Sequence, residues 1–99
     1  MNIINDFKLA IKDDTFVIRE VADDMAGYNY RIHDNATDKD YSVNYLEWCE
    51  DMDIAIFELD AEGNEEKCLV HEHCYDPFGM TYGDTIYGAF TKFYKLIQA

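Results

Sequence analysis

Hydrophobic residues recur at two different periods along this chain, and their order predicts helix, then sheet, then helix. Ile3, Ile4, Phe7, Ala10 and Ile11 fall at helical spacing, so a first helix is expected through Lys12, capped by Asn2 or Asn5. The period then drops to two. Residues 15–21 read as a strand with a turn over 22–27, and residues 28–33 alternate with Tyr28, Tyr30 and Ile32 on one face. After the polar run 34–40, Tyr41, Val43 and Tyr45 alternate again, while residues 46–52 fit either an extension of that strand or a helical turn. Runs 53–60 and 67–74 flank Glu62-Gly63-Asn64-Glu65, where Gly63 and Asn64 both tolerate the positive φ of a two-residue hairpin turn. Thr81, with Asp84 three residues on, opens a last helix striped by Ile86, Phe90, Phe93 and Ile97, with Ala89 and Leu96 beside them. Gly83 and Gly88 each weaken that helix by about 1 kcal/mol. The expected class is α+β: a single domain over residues 1–99, with an antiparallel sheet of about five strands flanked by an N-terminal and a C-terminal helix.

The hairpin carries the most concentrated chemistry. His71-Glu72-His73-Cys74 places two imidazoles and a thiol within four residues, and His71 and His73 share a face of their strand, roughly 6.6 Å apart. A Gly63–Asn64 turn sets Ile56 opposite His71, Ile54 opposite His73, Asp53 opposite Cys74 and Leu59 opposite Cys68. Cys68 then lies about 20 Å along the strand from Cys74, on the face of Ala55, Phe57, Leu59 and Val70, and reads as core. Cys49 precedes the partner strand at the same end as residues 71–74. Zinc accepts mixed imidazole and thiolate ligands in a tetrahedron, so Cys49, His71, His73 and Cys74 are the expected ligands of a structural zinc. Asp51, Asp53 and Asp76 are substitutes within reach. A closed tetrad leaves no position for water or substrate, and Glu72 projects away from the histidines. Ser42 is the only serine and has no nucleophile context, so no enzymatic activity is expected.

Composition and charge narrow the partners. The chain is 48 % hydrophobic and 15 % aromatic, a globular composition. It has no apolar run long enough for a membrane span, and its first residues lack the pattern of a secretion signal. Three cysteines without such a signal suit a reducing cytoplasm. The formal net charge is −13, and thirteen carboxylates stand between Asp38 and Asp76 against only Lys39 and Lys67. That field repels nucleic acid and membranes and attracts basic protein clefts. Asp60, Glu62, Glu65 and Glu66, at the hairpin tip, are the candidate partner contacts.

The opening Met1-Asn2-Ile3-Ile4-Asn5-Asp6, the amphipathic helix, Lys12-Asp13-Asp14 and the strand from Thr15 are similar to the start of an acidic inhibitor among the small anti-CRISPR proteins of phages and prophages. The resemblance spans about the first twenty residues, together with size and charge, and is to the class acting on type II-A effector nucleases. It implies a cytoplasmic protein of the bacterial host cell that binds a type II CRISPR effector nuclease, over surfaces meant for guide or target nucleic acid, without enzymatic activity. The histidine–cysteine cluster has no counterpart there, so no binding residues are carried over. The alternative is a DNA mimic or antitoxin-type module that neutralises another basic nucleic-acid enzyme.

Overall fold

A computed structural model describes residues 3–21 and 28–98. The expected Asn2 cap and the turn over 22–27 lie outside the described residues. The elements are α1 (Ile3–Ala10), β1 (Phe16–Val21), β2 (Tyr28–Asp34), β3 (Lys39–Trp48), β4 (Asp51–Leu59), β5 (Glu65–Tyr75) and α2 (Tyr82–Gln98). The strands form one antiparallel sheet in the order β1-β2-β3-β4-β5, a plain meander. The α+β class, the five strands and the two flanking helices are those expected from the periodicity.

Both helices cover one face of this sheet. Ile3 and Phe7 of α1 and Ile86, Ala89, Phe90 and Phe93 of α2 are buried, as are Ile32, Val43, Met52, Ile54 and Ile56 beneath them. Edge-to-face ring pairs hold this packing: Phe7 to Phe90 at 5.3 Å joins the two helices, and Tyr41 to Phe93 at 4.9 Å joins α2 to the sheet. The shortest extent of the molecule, 19 Å, is one sheet plus one helical layer. Among the described residues, no helix covers the other sheet face. No helix among the described residues is long and apolar enough to cross a membrane.

Local chemistry explains where the elements end. Helix α1 closes at Ala10 rather than Lys12, with Ile11 N donating to the Phe7 carbonyl at 2.8 Å. The Asp13 carboxylate accepts the Thr15 amide and hydroxyl and the Tyr94 hydroxyl, tying the α1–β1 loop to α2. Residues 46–52 resolve as strand: β3 runs on to Trp48, and Cys49 and Glu50 form a two-residue turn into β4. Cys49 adopts φ 55°, a conformation that usually calls for glycine.

Over Asp51–Ile56 the β4–β5 register differs from the expected one by a residue. The difference begins at Asp60. Its carboxylate accepts the Glu62 and Asn64 amides at 2.9 Å each, and its own amide donates to the Asn64 carbonyl. The turn therefore closes as a wider loop with Gly63 at φ +85°, not as a Gly63–Asn64 two-residue turn. Two register shifts, opposite Ile56/Phe57 and Glu58/Leu59, follow where β5 carries an extra residue, Leu69 and Glu66 respectively. As a result Asp53 faces His73, Ala55 faces His71, Met52 faces Cys74 and Phe57 faces Cys68. Cys68 is exposed rather than core, because the first irregularity puts it and Val70 on different faces.

Candidate functional site

The helix-free face presents β3, β4 and β5 in matched rows. Leu46, Asp53 and His73 form one row, and Trp48, Asp51 and Tyr75 the next towards the sheet end. The corrected register brings both histidines onto this face beside two aspartates. Asp53 Oδ1 lies 3.0 Å from His71 Nε2 and 3.2 Å from His73 Nδ1, and Asp51 Oδ1 lies 3.0 Å from His73 Nε2. All four side chains are about half exposed, so water screens these contacts and each adds little to stability.

The other two expected ligands sit elsewhere. Cys74 alternates to the helix side, half-buried, with its Sγ 3.2 Å from Thr81 Oγ1. Cys49 is exposed in the β3–β4 turn. Cys49, His71, His73 and Cys74 thus do not share a face; Asp51 and Asp53 are the donors found with the histidines. As the side chains stand, no group of three or more His, Cys, Asp or Glu among the described residues is arranged to hold a metal ion. The imidazole nitrogens face carboxylates instead.

At the far end of the hairpin, the four expected partner contacts divide into two kinds. Asp60 holds the turn, and the Glu65 carboxylate accepts Ser42 Oγ at 3.2 Å and Asn44 Nδ2 at 2.9 Å across the open face. Glu62 and Glu66 are exposed at the tip. A cavity of about 370 Å³ opens between this tip and β2–β3, lined among others by Arg31, Ser42, Asn44 and Glu65.

The opposite end of the sheet carries what the sequence reading passed over. Trp48 is 68 % exposed, Tyr75 63 %, Phe78 84 % and Met80 81 %. The loop bearing the last two is tightly held. Asp76 accepts the Phe78 amide at 3.0 Å and the Thr81 amide and hydroxyl at 2.9 Å, and donates its own amide to the Glu50 carbonyl. The Phe78 amide, then the Thr81 amide and hydroxyl, hold the Asp76 carboxyl below the usual carboxylate range. Tyr75 donates its hydroxyl to Glu50 Oε2 at 3.0 Å, which raises its phenol pKa. A signal for this surface was present in β3: Leu46 and Trp48 continue the polar positions Asp40, Ser42 and Asn44 with apolar residues.

No protein-family model matches the chain, and no curated protein and no solved structure is significantly similar to it.

Proposed function

We propose that this chain is a non-enzymatic acidic binding protein that inhibits a basic nucleic-acid-handling enzyme by occupying it, with a type II CRISPR effector nuclease as its partner. The observation that carries this is the charge: a formal net of −13, with Lys67 the only Lys or Arg between Lys39 and Lys92. The channel of such a nuclease is basic because it holds a heteroduplex by its backbone, so a carboxylate-covered domain competes for the same surface. Exposed Glu62 and Glu66 support the hairpin tip as a steering contact, whereas Asp60 and Glu65 already serve the turn and the open face. In a cleavage assay, inhibition should follow protein stoichiometry, and association should slow by roughly tenfold or more from low to high salt as charges are screened. Glu62→Gln/Glu66→Gln should slow association without unfolding the protein. Full cleavage at large molar excess would end the nuclease reading and leave another basic enzyme as the partner to seek.

Zinc enters the same proposal as a structural ion with its ligands narrowed to side chains that share a face. His71 and His73 would bind it with a carboxylate of Asp53 or Asp51, after turning from their present hydrogen bonds. Elemental analysis of untagged protein should find about one zinc per chain. His71→Ala and His73→Ala should lose it, and Cys74→Ala, on the other face, should keep it. A metal-free wild type sinks the zinc proposal, and loss in Cys74→Ala restores the tetrad read from the sequence.

A further inference from the structure

We propose that the sheet end carrying Trp48, Tyr75, Phe78 and Met80 is a docking surface for a protein face that combines arginine side chains with an apolar centre. Five of the nine large hydrophobic side chains exposed among the described residues lie here, the fifth being Leu46. Single exposed hydrophobics are ordinary, but a cluster of this kind marks a contact site. Nor is it the by-product of a loose loop. Asp76 and Glu50 fasten residues 75–81 with hydrogen bonds from the Phe78, Thr81 and Asp76 amides and the Tyr75 hydroxyl. The apolar side chains are held outward on an ordered backbone, so docking costs little further ordering.

Charge selects the occupant. Trp48 and Tyr75 flank Asp51 in one cross-strand row, and Glu50, bonded to the Tyr75 hydroxyl, and Asp76 stand beside them with no Lys or Arg in the segment 40–66 or 68–91. A guanidinium stacks on an aromatic face while pairing a neighbouring carboxylate, and these rows offer both together. A second copy of the chain would instead set these carboxylates against their own equivalents, since a two-fold contact repeats the same surface. The surface rests on the reading of the chain as a binder of basic proteins, but not on the nuclease as the partner.

Trp48 is the only tryptophan and reports its own burial. The probe is a short peptide of alternating arginine and leucine, followed through Trp48 emission at physiological salt. A saturable blue shift is expected, with binding at least about tenfold weaker to Phe78→Ser/Met80→Ser, the scale of a lost hot spot. The same peptide with serine for leucine, or glutamate for arginine, should give no shift. Absence of a shift, or equal affinity for the leucine and serine peptides, overturns the proposal. So does a shift that grows with protein concentration alone, with dimers in sedimentation, which would make a second copy the occupant. Titration with a type II effector separates the two readings: nuclease binding with Trp48 still exposed rejects this surface alone, and peptide binding without nuclease binding rejects the nuclease alone.

Discussion

Phe90→Ala is expected to leave this protein only marginally folded, with a melting temperature lower by roughly 15–30 °C, following about 4–8 °C per kcal/mol for a domain of this size. Phe90 is fully buried and meets the Phe7 ring edge-on at 5.3 Å, so it fills the seam where α1, α2 and the sheet come together. Phenylalanine-to-alanine changes in such cores cost about 3–5 kcal/mol, against a total of about 5–15 kcal/mol for a domain. The eight residues of α1 are too few to persist as a helix without that contact. Thermal unfolding followed by circular dichroism measures the effect. A loss below about 1 kcal/mol would mean that the helices do not pack as described.

The fold was legible because its determinants are local. Alternation of Tyr41, Val43 and Tyr45 and the stripe Ile86, Phe90, Phe93 write the faces directly into the chain, and each buried face then needs the other. The candidate site was legible only in composition. His71, His73 and the aspartates were visible as metal-type residues, but which of them share a face depends on register, and register was decided by the Asp60 turn together with two irregularities in the β4–β5 ladder. Asp60 accepts two amides and widens the turn, and the two irregularities that follow leave the pairs over Asp51–Ile56 one residue from the expected register, with Asp53 opposite His73. The alternation within residues 70–74 still held: His71 and His73 do share a face. The docking end was missed for a different reason. Phe78 and Met80 look like ordinary core candidates in a sequence, and only the pinned loop shows that they are turned outward.

That pinned loop yields the second large effect. Asp76→Ala should release residues 75–81, because the carboxylate is the common acceptor for Phe78 N, Thr81 N and Thr81 Oγ1. Chymotrypsin at neutral pH should then cut after Phe78 at least roughly tenfold faster than in the wild type, since cleavage tracks the population of the opened segment. Amide exchange at Phe78 and Thr81 should accelerate with it, while the Ile54 and Ile56 amides of β4, paired on both sides, stay protected. Acid should reproduce the variant. A carboxylate whose folded pKa is depressed contributes its stability above the unfolded value, near 3.9, and loses it as the pH falls through the folded value. Asp13 has the same sign, chiefly through the Thr15 amide, whereas burial raises Asp6, whose penalty at neutral pH disappears on acidification. In a pH titration, the Phe78 and Thr81 amide resonances should therefore move together, with a midpoint below the ordinary aspartate value. A midpoint at or above it, or equal cleavage of variant and wild type at neutral pH, would mean that Asp76 does not hold the loop and that Phe78 and Met80 are not presented on an ordered backbone.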